Sequence, residues 1–473
     1  MIFVASTNRG VLCMMGQRDR SEQLFHYFSI DQLVPPDHVL RAIDRHIDFS
    51  FVRDRTRDLY SECGRPSVDP EVLLRILLIG YLYGITSERR LVDEISMHLA
   101  YRWFTGLGFD QSIPHHSTFS KNRHGRFRDA GLFRGIFEEI VQQCIDAGLV
   151  EGERVSVDGS FIAANASRAS RVKASELPEA AKVSKTVREY LAEVEALNPV
   201  DDPGIETEVA ADSDKGAAAA TVSTTDPDAC YTTKGTGAAI LGYFNNYLID
   251  NANRVILDVQ PTTARLSREI VAARTMVERI DARFGIRPNI LAADMSYGTG
   301  DFLTWLLQRD IAPHIPVLDR YKQTTGVFTR KDFRFVPEDN CYICPAGEKL
   351  VHVGSTPPSK SDIYRVAKNG CARCDLKSQC TTGRGRTLLR HWQEPVRDRV
   401  RQLTRGPDYA RSQRERRKVE VLFAELKDRI NLRRLRLRRL KHASEQMLMA
   451  ATVQNIKRLV KHREGGGEKA IAR

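Results

Sequence analysis

In the run RRKVEVLFAELK, Glu420 lies between Arg416 and Lys427. At about 100° per residue, their spacing of four and then seven places all three along one line of a helix. Beside that line Val419, Leu422, Phe423, Leu426 and Ile430 recur at helical intervals and form an apolar stripe that must pack on something. A carboxylate is thus held at the rim of a core between two cations. Glu415 and Glu425 project elsewhere on the wheel, which leaves Glu420 as the candidate acid; a surface ion-pair ladder gives the same pattern. Two more carboxylates sit at or near the ends of short apolar runs: Asp158 in RVSVDGSFI, whose alternation reads as a strand, and Asp294 in NILAAD. Side by side on a sheet, with the Glu420 helix packed against them, the three acids make an all-oxygen pocket. Such a pocket suits Mg²⁺ or Mn²⁺, hard cations that prefer carboxylates and water. Two such ions stabilise both the entering and the leaving oxygen of an in-line phosphoryl displacement, so no side-chain nucleophile is required. Without metal the acids repel one another, and Arg416 and Lys427 are the groups that hold the site together and contact a phosphate backbone.

A second constellation is sulfur-based. CYIC supplies Cys341 and Cys344, and CARC supplies Cys371 and Cys374, two Cys-x-x-Cys pairs separated by 26 residues. That spacing points to a tetrahedral Zn²⁺ site, with Cys380 as an alternate ligand and His352 or His391 able to replace a sulfur. Four thiolates leave no open position, so such a zinc is structural. Reduced, buried cysteines without metal are the other reading.

The elements that must position these groups follow from period and punctuation. A chain of 473 residues exceeds one ordinary compact domain. Residues 22–150 read as helical throughout: Asp69 and Pro70 open EVLLRILLIGYLYG, Ser87 opens ERRLVDEISMHLAYRWF, and Ser117 or Thr118 caps a third helix. Short helices with basic ends fit an all-α, helix-turn-helix-like DNA-binding domain, with Lys121 and Arg123 as candidate DNA contacts. From 151 to 340 the pattern is α/β: a strand at 154–162, a charged helical stretch at 165–200, a low-complexity flexible insertion at 201–222, and a hairpin formed by 238–250 and 254–262. A helix, the strand NILAAD, the helix FLTWLLQR and the strand IAPHIPV complete a mixed sheet covered by helices. Residues 341–390 form the Cys-rich insertion and 391–463 return to the core with its final helices. There SEQMLMAATVQNIKRLVKH carries an apolar stripe at Leu448, Ala451, Ile456 and Leu459, read as core.

Charge narrows the partner. Lys and Arg number 72 against 60 Asp and Glu, a net of +12, and residues 429–441 hold seven basic groups in thirteen positions. Arg433 and Arg434 within that run are candidate DNA contacts, since such density fits a polyanion such as double-stranded DNA; a solvated helix face is the alternative. No segment has the length and purity to span a bilayer, and the first residues lack a signal-peptide pattern, so the expected location is intracellular, in the cytoplasm. Nine cysteines in a reducing compartment are not expected to form disulfides. Met15 is an alternative start to Met1.

These residues carry a resemblance. The helical GRPSVDPEVLLRILLIGYLYGITSERRLVDEISMHLAYRWFTGL with PHHSTFSKNR, the strand VDGSF, the motif AADMSYGTG and the helix bearing Gln413, Arg416, Glu420 and Lys427 occur in the order seen in bacterial insertion-sequence transposases of the DDE type. The chain resembles that family over roughly residues 20–460, apart from the insertion. STTDPDACYTTKG, residues 223–235, also resembles it. The resemblance implies a ribonuclease-H-like catalytic core in which Asp158, Asp294 and Glu420 hold the metals. It also implies binding and cleavage of DNA at the element ends, joining of 3′-hydroxyls to target DNA, and a homodimer on DNA. The family's tyrosine position is Gln413 here, and Tyr409 lies one turn upstream. Two other functions fit the same features: an inactive or domesticated DNA-binding protein, and a metal-dependent nuclease without strand transfer.

Overall fold

The computed structural model describes residues 28–61, 67–124, 131–174, 221–232, 238–264, 266–318, 328–357, 360–367 and 370–465, without the side chains of 120, 123, 124, 266 and 267. The chain opens on helices α1 (Ile30–Leu33), α2 (Val39–His46), α3 (Phe51–Thr56), α4 (Pro70–Leu82), α5 (Glu88–Met97), α6 (Leu99–Thr105), α7 (Ser117–His124) and α8 (Leu132–Asp146). Asp69 accepts the Glu71 amide with Pro70 in the first turn, and Ser87 accepts the Arg90 amide, so α4 and α5 start where their capping residues predict. The single helix expected from 88 to 104 is instead two. The backbone becomes extended at His98, whose ring stacks on Tyr101 at 3.9 Å.

A mixed sheet follows, with strands β1 (Arg154–Ala163), β2 (Arg171–Lys173), β3 (Thr221–Ser223), β4 (Cys230–Thr232), β5 (Ile240–Asp250), β6 (Ile256–Thr263), β7 (Ile290–Ala292) and β8 (Ala312–His314). The order is β2-β3-β4-β5-β1-β7-β8, with β6 on β5. β5 runs antiparallel to β1, while β7 and β8 are parallel to it and to each other. Helices α9 (Leu266–Phe284) and α10 (Gly300–Leu307) make the crossovers. Where helix was expected from 165, residues 168–170 form one 3₁₀ turn and β2 begins at Arg171, because Val172 finds a strand partner in Val222. Sheet pairing overrides the local preference there. Residues 175–200 and most of the expected insertion lie outside the described residues; Thr221 and Val222 belong to β3.

Between β8 and the last helices, β9 (Arg334–Val336), β10 (Cys341–Ile343), β11 (Lys349–Thr356), β12 (Ser361–Val366) and β13 (Thr387–His391) form a separate antiparallel sheet in the order β13-β12-β11-β10-β9. At its base Arg330, just before β9, forms an ion pair with Glu394, just after β13. Arg401 and Arg397 stand 2.7 Å and 3.6 Å from the same carboxylate. Then come α11 (Glu394–Leu403), α12 (Pro407–Asp428) and α13 (Leu440–Arg463).

One apolar cluster runs from Val34 to Val460, so the opening helices and the mixed sheet share a core. α13 is its hub. The expected stripe is buried, and so are polar positions between its members. Asn455 donates to Ile256 O at 2.8 Å and accepts from Ile256 N at 2.9 Å, while Gln454 donates to Leu422 O at 2.8 Å. A helix buried all round needs such partners for its polar side chains. No helix among the described residues is long and apolar enough to cross a membrane.

The start of α13 is held by two buried acids of the β3–β4 connection. Asp226 accepts the Arg439 amide at 2.8 Å and Asp228 the Leu440 amide at 2.6 Å. Burial pushes the Asp228 carboxyl up to about 7, against the Leu440 amide and the Arg439 charge. A raised acid stabilises the fold below its unfolded value and loses that contribution as pH rises through the folded one. Stability is therefore expected to fall between about pH 4 and pH 7, and Asp228→Asn to flatten that slope in urea titrations at several pH values. An unchanged slope would show that Asp228 does not titrate in this range.

Candidate active site

The long helix α12 is fixed to the strand ends by its polar side. Ser412 Oγ accepts from Arg154 at 2.7 Å and bonds His314 Nδ1 at 2.7 Å. Gln413 donates to His314 O at 3.1 Å, and Tyr409 stands edge-on to the His314 ring. Glu415 accepts from Arg154 at 3.3 Å, and Arg416 Nη1 lies 3.4 Å from Asp158 Oδ2. The other side buries Val419, Leu422, Phe423 and Leu426. Phe423 stacks at 4.8 Å on Tyr247, the residue opposite Asp158 on β5.

β7 pairs with β1 only as far as Ser156, whereas β5 pairs through Ala163. Asp158 therefore emerges just past the end of the parallel pairing, in the opening where such sheets bind ligands. Asp294 lies two residues beyond β7. Its Oδ1 accepts the Ser296 amide at 2.8 Å and also the Ser296 hydroxyl, which fixes the carboxylate at the start of a short 3₁₀ turn. That turn carries Tyr297, 1% exposed, whose hydroxyl has no hydrogen-bond partner among the described residues. Burial pushes its phenol well above the usual value. The charges of Glu269, Asp158 and Asp294 add to the effect, and Arg416 opposes it. Asp158, Asp294 and Arg416 thus all lie near enough to one buried hydroxyl for their charges to act on it.

Glu269 is the residue sequence reasoning missed. It lies near the start of α9, 6% exposed, and its carboxylate reaches over Gly159. A Cβ at Gly159 would overlap the Glu269 carboxylate and stand 2.6 Å from Asn246 Oδ1. The glycine immediately after Asp158 was the available signal, since it marks a close approach by another group. Gly159→Ala is expected to cost about 1–3 kcal/mol, the usual range for overpacking. Chemical denaturation measures this, and a variant as stable as the parent would show that Glu269 withdraws freely.

Glu420 is exposed on the turn after Arg416. Among the described residues no three His, Cys, Asp or Glu side chains stand as a closed metal-holding group. Glu425 faces α13, where Lys457 and Arg458 stand 3.3 Å and 3.1 Å away. Of the candidate DNA contacts, Lys427 is half-buried, Lys121 is exposed on α7, and the Arg123 side chain is outside the description.

The basic run after α12 is an extended strap and not a helix face. Arg433 pairs with Asp428, and Arg434 donates to Ala164 O at 3.2 Å. Ala163 N donates to Arg433 O at 3.2 Å and Leu435 N to Ala163 O at 2.8 Å. Arg436 donates to Thr86 O at 2.9 Å, at the turn between α4 and α5. Pairing with the end of β1 holds the strap extended, and several of its arginines are spent on internal carbonyls and carboxylates.

In the second sheet, Cys344, Cys371, Cys374 and Cys380 line one small cavity, and Cys341 is not among its walls. His352 lies 3.6 Å from Asp362, and His391 accepts the Gln393 amide at 3.1 Å.

Residues 28–125 match the model of a Transposase domain (DUF772), and residues 343–460 match that of a Transposase DDE domain. The second span contains Glu420; Asp158, Glu269 and Asp294 fall between the two. No curated protein and no solved structure matches the chain.

Proposed function

Because the chain belongs to the DDE transposases of insertion sequences, we propose that it binds the ends of its own element, cleaves DNA there by metal-dependent hydrolysis, and joins the freed 3′-hydroxyls to target DNA. The observation that carries this reading is the placing of the two aspartates: Asp158 emerges just past the parallel pairing of β1 and β7 with Arg416 3.4 Å from it, and Asp294 follows the neighbouring strand. A mixed sheet with acids just past its parallel pairing, crossed by the Arg416 helix, also supports a ribonuclease-H-like core.

The donor set is entirely oxygen and fits Mg²⁺ or Mn²⁺. Asp158 and Asp294 would hold the ions, with Glu420 or Glu269 as the third acid. Bound there, the ions supply a deprotonated water or 3′-hydroxyl and neutralise charge at the phosphate. Arg416 offsets the Asp158 charge and stands beside the path of an entering phosphate. Tyr297 keeps its proton and can donate into the cluster. Lys427 and Lys121 contact the DNA backbone, whose affinity is salt-dependent.

A plasmid excision assay and a strand-transfer assay with pre-cleaved ends test this together. Excision by the native protein and joining of supplied 3′-hydroxyl ends are expected, with both lost in Asp158→Asn and Asp294→Asn and in the glutamine variant of whichever glutamate, Glu420 or Glu269, is the third acid. Cleavage without joining would make the protein a metal-dependent nuclease. Undiminished excision by the two aspartate variants would overturn the site.

A further inference from the structure

Strand alternation separates the cysteines of the second sheet. On β10, Tyr342 lies opposite Leu350 of β11, which in turn lies opposite Val366 of β12, so these three share a face. Leu350 and Val366 line the cavity that Cys344, Cys371, Cys374 and Cys380 also line. Cys341 pairs with Val351 and takes the other face, along with Ile343 and its partner Lys349. Cys344 follows the strand, at the turn into β11, and its sulfur accepts the Glu348 amide at 3.2 Å. Cys380 is 8% exposed in the apolar cluster of the sheet, and the Cys371, Cys344 and Cys374 thiols all lie close enough to act on it.

From this we propose a structural Zn²⁺ site formed by Cys344, Cys371, Cys374 and Cys380, with Cys341 outside it. The free thiols do not yet stand at ligand spacing; side-chain rotation draws them onto the ion, and each thiol that becomes a ligand releases its proton. A need for such a tie is evident in the fold. The buried core of this sheet is Phe333, Tyr342, Leu350, Tyr364, Cys380 and Leu388, and residues 370–380 carry no strand, only a 3₁₀ turn at Lys377–Gln379. A core that small gives little independent stability, and a four-sulfur centre joining the β10–β11 turn to the 370–380 segment supplies the missing cross-link. Four sulfurs also saturate the ion, so it takes no part in the reaction.

The test uses the full-length chain purified under reducing conditions with zinc supplied. Elemental analysis is expected to find about one zinc per chain, as a four-thiolate site requires. Cys341→Ser should retain it, and Cys344→Ser, Cys371→Ser, Cys374→Ser and Cys380→Ser should each lose most of it. Native protein without stoichiometric zinc would overturn the proposal, as would zinc lost in Cys341→Ser but kept in Cys380→Ser. Should the serine variants not fold, Co²⁺ substitution of the native chain decides the matter. A tetrahedral four-thiolate spectrum supports the site, and a spectrum with fewer sulfur ligands overturns it.

Discussion

Asp158→Asn and Asp294→Asn are each expected to slow cleavage at the element ends by about a thousandfold or more, equivalent to about 4 kcal/mol of transition-state stabilisation. Binding to those ends should hold within a few fold. Each substitution replaces an anionic ligand with a neutral amide of the same shape, so the loss falls on metal affinity and not on packing. Asp294 is also fixed by Ser296, and the amide variant keeps one acceptor for that contact. Cleavage of a labelled end duplex in Mg²⁺, with a binding titration beside it, separates the two effects. The same assay ranks the remaining acids. Glu420→Gln should cost as much as the aspartate changes if the helix glutamate closes onto the ions, and Glu269→Gln should do so if the buried glutamate over Gly159 is the third ligand. Native rates in both aspartate variants would remove these residues from the chemistry.

The largest expected loss of stability lies at the base of the second sheet. Glu394 is fully buried and faces Arg330, Arg397 and Arg401. Burial alone would push its carboxyl up; the Arg330 and Arg401 bonds and charges outweigh that and hold it at about 2. Glu394→Gln leaves the arginines uncompensated, a change that costs about 3–5 kcal/mol in buried pairs. The sign with pH follows from the depressed value. The stabilisation is complete above the unfolded carboxylate range and is lost as pH falls from about 4.5 towards 2, a span of roughly 3 kcal/mol. Urea unfolding should therefore show a wide gap between native and variant at pH 7 that narrows towards pH 3. Equal midpoints at pH 7 would show that the cluster is not stabilising.

What was legible in the sequence was whatever depends on near neighbours. The α12 stripe, the Asp69–Pro70 start of α4, the β5–β6 hairpin and the strand around Asp158 are all written within a dozen residues, and each occurs where expected. The misses share a different cause. Glu269 carries no local mark that separates it from its helix, because its burial depends on Gly159, more than a hundred positions earlier. β2 read as helix because its partner β3 lies beyond a long low-complexity stretch. Nor can local Cys-x-x-Cys spacing reveal which face of a strand each sulfur takes, so it does not separate Cys341 from the cysteines that line the cavity.

The strap after α12 has a mechanical meaning. It is zipped to the end of the strand that carries Asp158 and, three residues later, bolted through Arg436 to the turn between α4 and α5. A duplex gripped by the amino-terminal helices would thus be held at a set distance from the scissors, with no swivel between handle and blade. On the proposed function, the span from recognised sequence to cut phosphate would then be a length built into the protein.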